Sequence, residues 1–157
     1  MDEFRFKKKY GQNFLQNKEI IKKIALCGGV LSNSLIIEVG PGSGNLTIAL
    51  ADLYKDSTIL AYEIDQSLKD ILLSRVNDYT NVNIIFNDFL KANLVNDFKD
   101  YKYDNLYFIS NVPYYITTPI LFKLVSSGLD FTKIVMMVQK EVGERFSSHP
   151  STKEYGA

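Results

Sequence analysis

The sequence predicts an α/β fold, a doubly wound and mostly parallel sheet, on three observations. Apolar, β-branched runs of strand length recur along the 157 residues. Segments with helical patterning separate them. The residues just after the runs are glycines, carboxylates, an amide and a proline rather than more core. "SLIIEVG" (34–40), "TILAYEI" (58–64), "VNIIF" (82–86), "NLYFIS" (105–110) and "KIVMMVQ" (133–139) read as strands. Their hydrophobicity is continuous rather than alternating, which suits parallel strands covered on both faces.

The intervening helices are defined by their ends. "NKEIIKKIALCGG" starts on Asn17 and stops at Gly28. "GNLTIALADLY" follows the first strand, and Asp65 caps "DQSLKDILLSRV". In "TPILFKLVSSG", Thr118 reads as N-cap, Pro119 as the first helical residue and Gly128 as the stop. The segment 87–104 is less regular and is expected to hold a short helix or a loop. There is no internal repeat.

Composition narrows the class. With 46% hydrophobic and 23% charged residues, the chain reads as one soluble domain spanning 1–157. Its apolar runs are too short to span a membrane, and the first residues lack the apolar stretch of a secretory signal. A single cysteine, Cys27, excludes an internal disulfide framework, fits a reducing compartment and is expected to be a small core residue. His149 is the only histidine and lies in a polar stretch, so no metal site is expected. Net charge is zero, so bulk charge does not announce a nucleic-acid binder. Residues 1–25 are nevertheless basic, with Arg5, Lys7, Lys8, Lys9, Lys18, Lys22 and Lys23 against Asp2, Glu3 and Glu19.

Doubly wound sheets bind ligands beyond the carboxyl ends of their strands, so chemistry is sought there. After the first strand comes "EVGPGSGNLT", where Gly40, Gly42 and Gly44 allow a tight turn and close approach to a ligand. A dinucleotide fingerprint would put glycine where Asn45 stands. The loop instead resembles the first motif of S-adenosylmethionine-dependent methyltransferases, E/D-x-G-x-G-x-G. After the second strand, Glu63 is placed to accept the hydroxyls of a ribose, whereas Asp65 reads as a helix cap. After the third, Asp88 either accepts from the exocyclic amine of an adenine or caps a short helix, and Phe89 is placed to pack on the ring.

The fourth strand ends in "NVPYY". Asn-x-Pro-aromatic at this place resembles the signature of methyltransferases that act on exocyclic amines of nucleic-acid bases. The lone pair of such an amine is delocalised into its ring. Two acceptors, the Asn111 side-chain oxygen and the Pro113 carbonyl, would localise it, and Tyr114 offers a stacking surface for an extruded base. Tyr115 is assigned either to the core or to the pocket wall.

Together "KKKYGQNFL", "EVGPGSGNLT", "YEID", "NDFLK", "NVPYYITTPILFKL" and "MMVQKEVGERFSSHPSTKEYGA" resemble the ribosomal RNA adenine N6,N6-dimethyltransferases. The resemblance covers nearly the whole chain; Val112 stands where that family commonly has leucine. It implies a Rossmann-like methyltransferase fold, S-adenosyl-L-methionine as cofactor, and dimethylation of two adjacent adenines near the 3′ end of small-subunit RNA. The implied partner is that RNA within a pre-ribosomal particle, with a role in subunit maturation. The implied protein is a monomer in the cytoplasm or an organelle, without a membrane. The resemblance further assigns Gln12, Asn13 and Leu15 to a basic closing segment, about 1–16, that would cover the cofactor. Gly40, Gly42, Glu63, Asp88, Phe89 and Asn111 would be the remaining cofactor positions. By the same resemblance Lys7, Lys8, Lys9 and Tyr114 would face RNA, and Asn111, Pro113 and Tyr114 would serve catalysis. The family continues past "YGA" with further strands and a small helical domain, so the domain is expected to be incomplete on that side.

Three other readings remain at this level. One is a non-catalytic RNA- or DNA-binding assembly or transcription factor of the same family. A second is a large-subunit RNA adenine methylase that confers antibiotic resistance. The third is a small-molecule methyltransferase or an oxidoreductase, opposed respectively by the amine-methylase signature and by Asn45.

Overall fold

A computed structural model describes residues 16–148. Five strands form one parallel sheet in the order β3-β2-β1-β4-β5: β1 (Ser34–Val39), β2 (Thr58–Tyr62), β3 (Val82–Ile85), β4 (Asn105–Asn111) and β5 (Lys133–Met137). The helices are α1 (Lys18–Cys27), α2 (Asn45–Leu53), α3 (Lys69–Val76), α4 (Leu94–Phe98), α5 (Thr117–Ser126) and α6 (Lys140–Ser147). The predicted doubly wound α/β architecture is thus present, with each strand on the segment read for it, β4 running one residue further to include Asn111.

The continuous hydrophobicity of the strands has the expected cause, because both faces of the sheet are covered. On one face Ile36, Ile59, Tyr107 and Ile109 pack against Ile21, Ile24 and Ala25 of α1 and Leu46, Leu50 and Ala51 of α2. On the other, Leu35, Ile37, Leu60 and Phe108 meet Leu94 and Phe98 of α4 and Ile120 and Leu124 of α5. Strand order reverses between β1 and β4, so a crevice opens beyond their carboxyl ends. There the Ser110 hydroxyl accepts from Val39 N–H (3.2 Å) and donates to the Val39 carbonyl (2.7 Å). The paired register of β1 with β4 ends at Ile37–Phe108, so this side chain bridges the strands where the ladder stops.

Several local expectations need correction. Thr118 is not an N-cap: a 3-10 turn, Tyr114–Ile116, runs directly into α5, and the helix begins at Thr117. Pro119 is then the third helical residue, still within the first turn, where its missing N–H costs no intrahelical bond. Cys27 is exposed rather than part of the core. The segment 87–104, by contrast, holds the expected short helix, α4, after a 3-10 turn (Phe89–Lys91). His149 lies outside the described residues. Among the described helices none is long and apolar enough to cross a membrane.

Candidate active site

The crevice is the mouth of a cavity of about 560 Å³. Its wall is assembled from strand ends: Glu38 to Ser43 from β1, Tyr62 to Ile64 from β2, Asn87 to Leu90 from β3, Asn111 to Ile116 from β4 and Met137 to Gln139 from β5. The sequence-derived candidates Gly40, Gly42, Glu63, Asp88, Phe89, Asn111, Pro113 and Tyr114 all line it. Gln12, Asn13, Leu15, Lys7, Lys8 and Lys9 lie outside the described residues.

The glycine loop is held from several sides. Gly40 N–H donates to the Tyr62 carbonyl at 2.8 Å, which ties the loop to β2. Gly44 has φ of 82°, a left-handed backbone that favours glycine, and an added Cβ would stand 2.9 Å from Leu72 Cδ1. That close approach packs α3 against the start of α2. Glu63 is buried, and its two oxygens accept from Gly42 N–H (3.1 Å) and Asp65 N–H (2.8 Å). Burial pushes its carboxyl up, opposed by those backbone hydrogen bonds. Each carboxylate oxygen keeps lone-pair capacity for a ligand hydroxyl. Asp65 caps the turn after β2 through Ser67 N–H (2.9 Å).

Asp88 combines its two sequence readings. One oxygen accepts from Leu90 N–H at 3.0 Å as an N-cap, while the residue lines the cavity. Phe89 is only 3% exposed and packs edge-on against Tyr62, with ring centroids 5.1 Å apart. Its ring is therefore chiefly core and reaches the cavity over a small area. Lys123 of α5 fixes the same turn by donating to the Leu90 (3.0 Å) and Ala92 (2.7 Å) carbonyls.

Asn111 ends β4 half-buried, and Tyr114 and Tyr115 follow it to the mouth, 56% and 48% exposed. The two rings meet edge-on at 5.8 Å, which places Tyr115 on the wall rather than in the core. One assignment changes. The Pro113 carbonyl accepts from Ile116 N–H (3.2 Å) and Thr117 Oγ1 (3.3 Å), so the turn itself takes up the oxygen assigned to a target amine. The ring of Pro113 still fixes the backbone there.

Two contributions were not assigned from the sequence. Glu38 is a buried carboxyl in the wall, signalled by an acid inside an apolar strand run. Met137, Val138 and Gln139 supply the far side, and applying the strand-end rule to β5 would have found them. Among the described lining residues there are three carboxylic acids and no Lys, Arg or His. An acidic wall without a cation suits a cationic nucleoside and opposes a pyrophosphate, which needs positive partners. Among the described residues no group of three His, Cys, Asp or Glu could hold a metal ion.

Sequence comparison decides the family, because the model for ribosomal RNA adenine dimethylase matches residues 3–157. The chain belongs to the ribosomal RNA adenine dimethylase family. A relative from Macrococcus caseolyticus, ribosomal RNA small subunit methyltransferase A, is 46% identical over 98% of this chain and 52% of its own length. The Streptococcus thermophilus protein of the same name is 44% identical over 98% of this chain and 53% of its own. The chain of this family member therefore spans about half the length of the curated relatives it matches. Among solved structures, a dimethyladenosine transferase from Plasmodium falciparum superposes with a TM-score of 0.74 at 30% identity, over 91% of this chain and 49% of that one. The 23S rRNA methyltransferase ErmE gives 0.70 at 27%, over 85% and 50%. The family and its Rossmann-like fold agree with the sequence reading.

Proposed function

We propose that this chain is the methyl-transferring part of a small-subunit ribosomal RNA adenine N6,N6-dimethyltransferase that uses S-adenosyl-L-methionine. One observation carries the reading: the glycine loop with Glu63 and the Asn111–Tyr114 turn line a single cavity, so a donor nucleoside and an acceptor base would meet there. Small-subunit RNA is favoured over large-subunit RNA because the curated relatives at 42–46% identity carry the small-subunit name. The two adjacent adenines near the 3′ end, a pre-ribosomal particle as substrate and a place in subunit maturation are the finer parts of this proposal. A monomer acting in the cytoplasm completes it.

When bound, the donor supplies an electrophilic methyl group on a sulfonium. Glu63 would hold the ribose hydroxyls, and Asp88 the adenine amine of the donor. The Asn111 side-chain oxygen would accept one N–H of the target amine. With the Pro113 carbonyl engaged in the turn, the Val112 carbonyl is the candidate for the other. Two acceptors hold the nitrogen pyramidal, which concentrates its lone pair for attack, and the surplus proton leaves to water. Tyr114 would stack on the extruded base. Orientation and fixed dipoles, rather than a strong base, do the chemistry.

The deciding experiment incubates the protein with immature small subunits and isotope-labelled donor, followed by mass spectrometry of nucleosides. N6,N6-dimethyladenosine is expected, lost in Asn111→Ala while RNA binding persists. Wild-type RNA binding without any methyl transfer would replace this reading with that of a non-catalytic assembly factor.

A further inference from the structure

The proposed chemistry leaves Glu38 unused. It stands at the end of β1, two residues before Gly40, and is 2% exposed although it lines the cavity. Thr47 of α2 donates to Oε2 at 2.6 Å, and among the described residues no hydrogen bond reaches Oε1. Burial pushes the carboxyl up to about 8; the Thr47 hydrogen bond opposes the rise and the charge of Glu63, facing it from the end of β2, adds to it. Asp88 is a further acid in the same wall. No described lining residue is cationic, and the ion pairs of the described residues, Lys91–Asp88 and Lys140–Glu144, leave Glu38 out. A buried carboxylate without a counter-charge is costly, so the group rests protonated.

We infer that Glu38 holds a proton in the ligand-free protein and surrenders it when a cationic ligand enters the cavity, coupling donor uptake to proton release. The O–H bond of the carboxyl breaks and the proton passes to water. The carboxylate stays hydrogen-bonded to Thr47 and faces the positive charge of the ligand. This rests on the donor reading above, since S-adenosyl-L-methionine carries a sulfonium and an ammonium. The linkage has a definite sign. Below about 8 the free group is protonated, so donor affinity rises by up to about tenfold per pH unit, and it levels off above. S-adenosylhomocysteine, which lacks the sulfonium, draws off less of the proton.

Calorimetry at neutral pH in buffers of different ionisation enthalpy tests this. Binding of S-adenosyl-L-methionine to the wild-type chain should release close to one proton, and binding to Glu38→Gln close to none. A wild-type binding heat independent of buffer overturns the inference while leaving the donor reading intact. Equal proton release from Glu38→Gln also overturns it, pointing to Glu63. Absence of binding to the wild type overturns both together. Should Glu38→Gln fail to fold, difference infrared spectra of the wild type serve instead. Donor should bleach the carbonyl band of a protonated carboxyl, and a band that persists overturns the inference.

Discussion

The two rims of the cavity are built to different standards. On the glycine-loop rim almost every polar group is tied down. Gly40 N–H reaches Tyr62, Gly42 and Asp65 N–H share Glu63, Gly44 N–H reaches Pro41, and the Ser43 carbonyl takes Arg75. The rim formed by the end of β4 is open by contrast. Its tyrosines stand exposed, and the 3-10 turn that carries them has no side-chain cap. A small ligand repays a preformed site, because little ordering remains to be done on binding. A large one brings its own surface, and the exposed rings are area that such a partner would cover. On the proposed function, the first rim serves the donor and the second the RNA.

Mutations on each side should therefore fail differently, and the largest effect belongs to the open rim. On the proposed function Asn111→Ala removes an acceptor that would face the reacting nitrogen, so methyl transfer should fall by about 100- to 1000-fold, roughly 2.7–4 kcal/mol in the barrier. Single-turnover rates with saturating donor measure it, and a loss below tenfold would refute the assignment. Next comes Glu63→Gln on the tied rim. The amide keeps one acceptor but turns a donor toward a backbone N–H, so about 1.5–3 kcal/mol of charged hydrogen bonding is lost. The dissociation constant for the donor should rise by roughly ten- to 100-fold with RNA affinity unchanged. A shift in RNA affinity instead would erase the distinction between the rims.

The tied rim was also the more legible in the sequence. Glycines, an acid at a strand end and a cap are short-range signals, and Asp65 and Asn17 cap as their neighbours suggest. The motif containing Glu38 is legible in the sequence, but the task of this acid is not, because burial and the lack of a counter-charge are properties of the packed structure. The open rim was harder to read. Thr118 looked like a cap because threonine before proline usually marks a helix start. The chain instead enters α5 through a 3-10 turn, with no extended residue between. The same turn consumes the Pro113 carbonyl, which no spacing rule reveals. Cys27 was misplaced because one residue at a helix end lies on either side of the helix at little cost. The strand segments needed only composition and order, and so the sheet was correct.

Tyr114→Ala is the third test, and it separates stacking from stability. Loss of a base-stacking ring costs about 1–3 kcal/mol. With labelled small subunits, kcat/KM should drop by roughly five- to 150-fold. Tyr114→Phe should restore it, since the face of the ring is what the base would meet. The exposed ring contributes little to the core, so the melting temperature should hold; a large drop would reassign the residue to packing.

The smallest effect should come from a site on neither rim. Gly128 follows α5 with φ of 71°, and an added Cβ would meet nothing within 4 Å. Gly128→Ala therefore carries only the left-handed backbone penalty, about 1–2 kcal/mol, without a clash. For a chain of this size that lowers the melting temperature by a few degrees, roughly 2–8 °C. Donor binding and methyl transfer at lower temperature should match the wild type. If transfer fell while donor binding did not, the end of α5 would be communicating with the Tyr114 turn at its start. The open rim would then extend along that whole helix rather than stopping at the mouth.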